Sequence, residues 1–314
     1  MVLFYSVREG GGEKENVRDS FSLYHPFINF FYFAVVILFS MFFMHPVFLG
    51  ISLVGSITYS MLLNGRRAVK FNFLYMIPML LLIALINPIF SHEGATVLFY
   101  FQDTSITLES LLYGIAAAVM FVSVIIWFSC YNSVMTSDKF IYLFGKAIPS
   151  LSLIFSMVLR FIPMLKERTK VIAHAQKCMG RDVSHGSVLQ RARNGIHIVS
   201  ILTTWSLENA IETADSMRSR GYGLKGRTNF SIYRFDRRDR AALAVLILLF
   251  LLVCIGAFFG ENTIQYFPTI EMPDYRPFGF LIYFAYGGLC FFPVILQIGE
   301  MWKWRKIRSI PSKN

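Results

Sequence analysis

Six long apolar runs constrain the fold of this 314-residue chain more than any other feature of its sequence. A helix needs roughly 20 apolar residues to cross a lipid bilayer. Because 55% of the residues are hydrophobic, such runs are better interpreted as membrane spans than as buried strands. The sequence therefore predicts an all-α integral membrane protein with about six transmembrane helices: Phe27–Met44, Pro46–Leu63, Phe71–Phe90, Ile106–Cys130, Ala241–Phe259 and Pro277–Ile298.

The distribution of charge predicts which loops face the cytoplasm. The segment Tyr131–Arg240, between the fourth and fifth runs, carries 18 Lys and Arg against 8 Asp and Glu. The loops Ser91–Ser105 and Gly260–Arg276 together carry five acidic residues and one arginine. Cytoplasmic loops of membrane proteins are enriched in Lys and Arg. We therefore expect Tyr131–Arg240 and both chain termini to be cytoplasmic, and the two acidic loops to be external.

These features divide the chain into five segments. We expect a cytoplasmic N-terminal segment (1–26), a block of transmembrane helices one to four (27–130), a cytoplasmic and interfacial helical insert (131–240), transmembrane helices five and six (241–298) and a basic cytoplasmic tail (299–314). We expect no cleavable signal peptide, because the first apolar run follows 26 mixed and charged residues without a small-residue cleavage site.

Two helices are predicted in the insert. The first begins with the single apolar stretch FIYLFGKAIPSLSLIFSMVLRFIPML and continues from Lys166 into polar residues with helical spacing, and a break follows around Asp182–Ser187. The second, VLQRARNGIHIVSILTTWSLENAIETADSMRSR, is amphipathic. Its apolar face is formed by Ile198, Ile201, Leu202 and Trp205, and we predict that it continues through Ala210, Ile211, Ala214 and Met217. We expect Ile198, Leu202 and Trp205 to pack this helix against other helices.

The basic stretch after this helix has residue types similar to those of a phosphate-binding loop, but it lacks the structural context of one. Gly221, Gly226, Arg227 and Thr228 nearly spell such a loop, but they follow a helix instead of a strand, and Arg227 replaces the lysine. We therefore expect no nucleotide site. Ser219-Arg220-Gly221 fits a helix end better, because a cation in the last turn complements the helix dipole and glycine accepts the left-handed conformation that ends helices.

We expect no catalytic residues, no metal site and no cofactor. The histidines of the insert lack the i, i+4 spacing of a shared metal-binding face, and the four cysteines have no paired spacing. The predicted spans are nearly free of ionisable groups, which argues against a proton relay. No nucleic-acid-binding module is present, so the positive charge of the insert is better explained by an anionic lipid surface than by nucleic acid.

Four stretches are similar to a known family: YHPFINFFYF, INPIFSHEGAT, PSLSLIFSMVLRFIPML and WSLENAIETADSMRSRGYG. Through them the chain resembles the transmembrane (T) component of energy-coupling factor transporters, which include bacterial cobalt, nickel and vitamin uptake systems. The resemblance implies a non-catalytic, multi-pass subunit in the cell membrane of a bacterium or archaeon. It implies as partners two cytosolic ATPase subunits and a small substrate-binding (S) membrane subunit, and as cargo a vitamin or a metal ion.

The resemblance also implies two partner-binding motifs. Members of this family carry a pair of Ala-Arg-Gly-like motifs at the ends of cytoplasmic coupling helices, and each motif docks on one ATPase. Here the second motif corresponds to Ser219-Arg220-Gly221, with serine in place of alanine. The first corresponds to Gly180-Arg181-Asp182, which keeps the arginine and changes both neighbours. Arg181 and Arg220 are therefore expected to be the two ATPase-binding side chains.

Two other functions stay open on the sequence alone. A conventional ABC importer permease would also present a coupling helix to an ATPase, but it would form the substrate path itself. A membrane-bound enzyme would need a catalytic constellation that the sequence does not contain. Co-purification with a separate substrate-binding membrane protein would distinguish a transporter T component from a conventional permease and from an enzyme.

Overall fold

The computed structural model describes residues 19–65, 69–70, 72–90, 94–101, 104–145, 148–224, 233–260, 262, 264–268 and 277–308. Some predicted features lie outside the described residues. They are most of the N-terminal segment (1–18), parts of both predicted external loops, the phosphate-loop-like Gly226-Arg227-Thr228 and the last six residues of the tail.

The described part of the chain is almost entirely helical. Its helices are α1 (Pro26–Phe42), α2 (Pro46–Asn64), α3 (Ile77–Phe90), α4 (Leu108–Val134), α5 (Ser137–Gly145), α6 (Pro149–Cys178), α7 (Val188–Ser219), α8 (Arg237–Phe258) and α9 (Pro277–Arg308). A 3-10 turn (Phe21–Leu23) precedes α1, and a short π-helix (Asn72–Met76) precedes α3. One antiparallel hairpin, β1 (Val97–Phe101) and β2 (Thr104–Thr107), lies between α3 and α4. The predicted all-α membrane architecture is confirmed, with this hairpin as its one small addition among the described residues.

The predicted spans correspond to helices of two lengths. Within the described residues, four helices are long and apolar enough to cross a membrane: α2, α4, α8 and α9 up to Lys303. The segments Pro26–Phe42 and Leu74–Phe90 are also apolar but have at most 17 residues. Each of the six predicted runs overlaps one of these segments. The chain is thus a multi-pass membrane protein by length and composition.

Two His-Pro pairs begin the first two helices in the same way. His25 precedes Pro26, and its Nδ1 accepts a hydrogen bond from the backbone N–H of Phe27 at 3.2 Å. His45 precedes Pro46, and its Nδ1 accepts from the N–H of Val47 at 3.3 Å. Proline is favoured at the first helical position because its missing N–H would have had no partner there. The imidazole then satisfies the next free donor.

The described residues divide into two compact units. The first comprises the residues up to Thr136 together with those from Tyr233 onward, and the second is Ser137–Ile232. In the first unit, α4 packs against α1, α2 and α3, and α9 packs against α2 and α8. Trp127 on α4 is fully buried at the centre of an aromatic core. Its indole N–H donates to the Ser52 hydroxyl at 3.0 Å, so the polar atom of the ring is satisfied inside an apolar bundle.

The second unit consists of α5, α6 and α7. α5 packs against α6, and α6 packs against α7. α6 starts with Pro149 and continues through Pro163 to Cys178. α7 starts after Ser187, whose hydroxyl accepts a hydrogen bond from the N–H of Gln190 at 3.3 Å. α7 thus begins after a short loop that follows α6, and the two predicted motifs lie at the C-terminal ends of α6 and α7.

Candidate partner-docking site

The α6–α7 pair is held together by one stack of side chains and an apolar seam. The Trp205 indole of α7 lies parallel to the Phe161 ring of α6, with centroids 6.1 Å apart and planes 4° apart. The Arg168 guanidinium lies over the indole, 4.9 Å from its centroid. Ile198 is buried, and Leu202 is half-buried, as is Trp205. The three residues predicted to pack α7 therefore all lie on the protected side of the helix within this unit.

The predicted continuation of that face along α7 was wrong for three of its four residues. Ala210, Ile211 and Ala214 are exposed, and Ile211 has 64% of its surface accessible. At 3.6 residues per turn, Ile211 lies about 220° around the helix from Ile198, which is nearly the opposite face. Met217 alone stays half-buried. The packed face therefore ends near Trp205, and the last turns of α7 are open to solvent on most sides within this unit.

The end of α7 has the geometry predicted for Ser219-Arg220-Gly221. Gly221 takes a left-handed conformation with φ of 72°. Its N–H donates to the carbonyl of Arg218 at 3.0 Å, and the N–H of Tyr222 donates to the carbonyl of Met217 at 3.0 Å. These two bonds form a Schellman motif, which satisfies the last carbonyls of a helix. We call the segment Ser219–Tyr222 the second tip.

The end of α6 has the same motif. Gly180 takes a left-handed conformation with φ of 76°. Its N–H donates to the carbonyl of Lys177 at 3.0 Å, and the N–H of Arg181 donates to the carbonyl of Gln176 at 2.9 Å. We call the segment Cys178–Asp182 the first tip. The two tips thus have nearly identical backbones, although their sequences differ.

Superposing the two motifs fixes the register between the tips. Gly180 corresponds to Gly221, because each is the left-handed residue of its motif. The residue before the glycine is then Met179 in the first tip and Arg220 in the second. Arg181 corresponds to Tyr222. The structure therefore does not place Arg181 at the position equivalent to that of Arg220.

The two arginines also differ in their surroundings. The Nη1 atom of Arg181 lies 2.9 Å from Nε2 of His197 on α7. A guanidinium has only donors, so in this contact the His197 nitrogen accepts. Arg220 is exposed, and its side chain makes no hydrogen bond or ion pair to the described residues. One arginine is thus directed onto the neighbouring helix, and the other is free to bind a partner.

The loop after the first tip is held on the beginning of α7. The carbonyl of Asp182 accepts from Nδ2 of Asn194 at 2.9 Å, and the carbonyl of Val183 accepts from Nε of Arg191 at 2.8 Å. The Asp182 carboxylate accepts from the N–H of Ser184 at 2.9 Å and lies 3.4 Å from Nζ of Lys177. The Ser184 hydrogen bond, supported by Lys177, lowers the pKa of Asp182 below its ordinary value. This loop is an ordered, hydrogen-bonded part of the first tip.

A signal for the first-tip register was present in the sequence. The prediction paired two arginines that are 39 positions apart, whereas the structure pairs two glycines that are 41 positions apart. Each glycine follows a long helical pattern, and glycine is the residue that most often ends a helix in the left-handed conformation. Aligning the two helix ends on glycine instead of arginine would have identified Met179 as the residue equivalent in position to Arg220.

Comparisons with known proteins agree with the helical membrane architecture. The sequence model of the CbiQ family, described as cobalt transport proteins, matches residues 20–230. The chain is 30% identical over 181 residues to the energy-coupling factor transporter transmembrane protein EcfT 1 of Listeria monocytogenes, which covers 54% of this chain and 68% of that protein. It is 36% identical over 108 residues to EcfT of Lactobacillus helveticus and 39% identical over 111 residues to EcfT of Bacillus selenitireducens. These two matches cover 34% and 35% of this chain, and only 39% and 41% of the relatives.

Proposed function

The chain belongs to the CbiQ family of transporter membrane proteins, and from this premise we propose that it is the coupling subunit of an energy-coupling factor importer. In this proposal it passes the ATP-driven movement of two cytosolic ATPase subunits to a small substrate-binding membrane subunit. The cargo is a vitamin or a metal ion, and the substrate-binding subunit selects it. The chain itself carries out no chemical step.

One observation carries this proposal beyond family membership. Two long helices of the insert end in the same Schellman motif, and the second tip presents the exposed, unpaired Arg220. A planar guanidinium binds a carboxylate through two parallel hydrogen bonds, so Arg220 is suited to an acidic cleft on another protein. The two proposed docking segments are Gly180-Arg181-Asp182 and Ser219-Arg220-Gly221.

The α6–α7 pair is built to carry movement away from these segments. α6 has 30 residues and α7 has 32, so each is about 45 Å long at 1.5 Å per residue. The Phe161–Trp205 stack lies far from both tips along the helices, and Ile198 adds a buried contact. Rigid helices joined at such a seam transmit a displacement of one end along their length. We propose that Ile198, Leu202 and Trp205 are the residues through which movement at the tips passes from one helix to the other.

The proposal includes an orientation in the membrane. Both termini and the insert face the cytoplasm of a bacterial or archaeal cell, because the insert carries most of the excess positive charge. The helices within 27–130 and 241–298 lie in the membrane, and the loops Ser91–Ser105 and Gly260–Arg276 are external. The ATPases would then meet the insert on the side where ATP is available.

The composition of the purified complex tests the proposal. The tagged chain is purified in mild detergent from cells that produce it with its neighbouring subunits, and the accompanying proteins are identified by mass spectrometry. We expect ATP-binding subunits together with a small membrane protein that binds the cargo. A complex in which the chain itself binds the cargo without a further membrane protein would contradict the proposal in favour of a conventional permease. An isolated chain with enzymatic activity on a lipid would contradict it altogether.

A further inference from the structure

The membrane helix α8 has a buried face and an opposite face that is exposed and apolar. The buried face packs within the first unit and consists of Asp239, Ala242, Leu246, Val253 and Gly256. We call the exposed surface the outer face of α8, and it consists of Ala241, Ala244, Leu248, Leu251 and Ile255. At 3.6 residues per turn, these five residues lie within about 80° of one another around the helix. A continuous apolar surface of this kind on a membrane helix is suited to contact with lipid chains.

Two arginines continue the outer face beyond its apolar end. Arg237 lies about five full turns before Ile255, so both residues are on the same line along the helix. Arg240 directly precedes Ala241 and lies about 60° from Arg237 around the helix. Both arginines are exposed, and neither forms an ion pair with the described residues. One side of α8 therefore changes from apolar side chains to two unpaired cations.

The acidic side chains at this end of α8 and α9 have other partners. Asp236 and Asp239 form the capping box of α8, and Oδ2 of Asp239 accepts a hydrogen bond from the N–H of Asp236 at 3.1 Å. Glu300 of α9 binds the next arginine of α8, with its Oε1 atom 2.6 Å from Nη2 of Arg238. The positive charge at the top of the outer face is thus left for a group from outside the chain.

The dimensions of the outer face match one leaflet of a bilayer. Ala241 and Leu251 are ten residues apart, which corresponds to about 15 Å along a helix. The hydrocarbon core of a bilayer is about 30 Å thick, so this distance is half of it. A lipid whose chains lie on the outer face therefore has its headgroup at the level of the two arginines.

A tryptophan marks the same level on α9. Trp302 has 74% of its surface exposed and lies two residues beyond the ion pair that joins α9 to the first turn of α8. Lys303, which follows it, is also exposed. Tryptophan is enriched where membrane helices cross from hydrocarbon to headgroups. The first turn of α8 thus lies in the headgroup layer.

We infer that Arg237 and Arg240 bind the phosphate of one anionic phospholipid, whose acyl chains lie on the outer face of α8. Guanidinium groups bind phosphate through parallel, charge-assisted hydrogen bonds. A zwitterionic lipid carries a cation of its own, which two unpaired guanidinium groups repel, whereas phosphatidylglycerol carries none. The site lies where the chain returns to the membrane after the insert. A lipid bound there fixes this end of the insert in the headgroup layer.

Photoactivatable lipids test this inference. The full-length chain, with the subunits that co-purify with it, is placed in phosphatidylcholine nanodiscs that contain a trace of lipid with a diazirine in its acyl chain. The probe is either phosphatidylglycerol or phosphatidylcholine, and mass spectrometry measures the label on the outer face of α8. One basic residue near an anionic lipid changes its binding by about fivefold, so two should favour phosphatidylglycerol by about 25-fold. The exposed Leu85 and Ile89 of α3 are the control surface and should be labelled equally by both probes.

Substitutions then show whether the two arginines select the lipid. Arg237→Gln combined with Arg240→Gln should reduce the preference for phosphatidylglycerol to less than about twofold, with labelling by phosphatidylcholine unchanged. Replacing both by lysine should keep at least about a quarter of the preference, because lysine binds phosphate as a point charge. Lys166→Gln combined with Lys170→Gln removes the same charge from exposed positions on α6 and should leave the preference unchanged.

Three results would overturn the inference. The first is equal labelling of the outer face by both probes, and the second is a preference that survives the two Arg→Gln substitutions. The third is an outer face labelled by neither probe while Leu85 and Ile89 are labelled, because a protein partner would then cover the face. None of these results affects the proposed coupling function, which is tested by the subunits that co-purify with the chain.

Discussion

The Trp205 indole of α7 and the Phe161 ring of α6 lie in parallel planes, 4° apart, with their centroids separated by 6.1 Å. Arg168, also from α6, places its guanidinium over the same indole. Aromatic pairs and cation–π contacts each contribute about 0.5–1.5 kcal/mol beyond the burial of apolar surface. One tryptophan therefore supplies two specific contacts between the helices that carry the proposed docking segments.

Trp205→Ala should separate α6 from α7 and loosen the insert. The indole is only half-buried, so we expect a loss of about 2 kcal/mol rather than the 3–5 kcal/mol typical of a fully buried ring. The measurement is hydrogen exchange of the α6 and α7 backbone in the purified protein. Trp205→Phe keeps an aromatic stack and should lose about half as much. Trp302, on α9, is 74% exposed, so Trp302→Ala is a matched control that should leave the exchange of α6 and α7 unchanged.

Gly180→Ala should destabilise the last turn of α6. Gly180 has φ of 76°, and no atom lies within 4 Å of the position that a Cβ would occupy, so the substitution tests the backbone conformation alone. An L-residue in the left-handed region costs about 1–2 kcal/mol. Gly195, inside α7, also has open space around it but has a helical backbone. Gly195→Ala should therefore stabilise α7 by about 0.5–1 kcal/mol. Equal effects of the two substitutions on hydrogen exchange would contradict the Schellman assignment.

Acid should release the loop of the first tip only at low pH. Hydrogen bonding by the N–H of Ser184, with help from Lys177, lowers the pKa of Asp182 in the folded protein. A carboxylate with a lowered pKa contributes its stabilisation above the unfolded value of about 4, and that contribution is lost as the pH falls through the lower folded value. We expect an NMR titration to place the pKa of Asp182 below that of an aspartate in an unfolded peptide. A pKa at or above that of the unfolded peptide would show that these contacts do not hold the carboxylate.

The membrane helices could be predicted from the sequence, because each one corresponds to a single continuous run of apolar residues. A run of about 20 apolar residues has few alternatives to a span, and all six predicted runs overlap helices. α5 was not predicted as a separate helix, since its apolar residues join those of α6 in one stretch. The β1–β2 hairpin was missed because it is short and lies between two spans.

The ends of α6 and α7 were harder to predict from sequence than the membrane helices. The second tip was predicted correctly as a helix end, since Arg220 and Gly221 combine two independent stop signals. For the first tip the residue types alone did not fix the register. Arg181 was chosen because it is an arginine, whereas the hydrogen bonds of Gly180 and Arg181 put Met179 at the equivalent position. Arg181 and Met179 are two residues apart, and only the backbone geometry of the helix end shows which of them is equivalent to Arg220.

Cysteine labelling tests the proposed orientation in the membrane. Cys178 is a free, exposed cysteine at the first tip, and it serves as the natural probe of the insert. In intact cells a membrane-impermeant maleimide should spare it, and labelling should appear only after the membrane is opened. A second cysteine, introduced by Ala95→Cys at an exposed position beside the β1–β2 hairpin, should be labelled from outside. Labelling of Cys178 in sealed cells, with Ala95→Cys protected, would reverse the orientation.

The central claim is that Arg220 binds an ATPase, and the most direct measurement is the amount of ATPase retained by the purified chain. Loss of one partner of a buried charge pair costs about 2–5 kcal/mol at an interface, and a reversed charge adds repulsion. Arg220→Ala should therefore release ATPase, Arg220→Glu should release more, and Arg220→Lys should be intermediate because it cannot bind both carboxylate oxygens.

Lys170→Glu makes the same change of charge at an exposed position on α6 and is the matched control. We predict that Arg220→Glu loses its ATPase and its transport activity while Lys170→Glu keeps both. Normal ATPase retention and normal transport by Arg220→Glu would show that Arg220 only ends a helix.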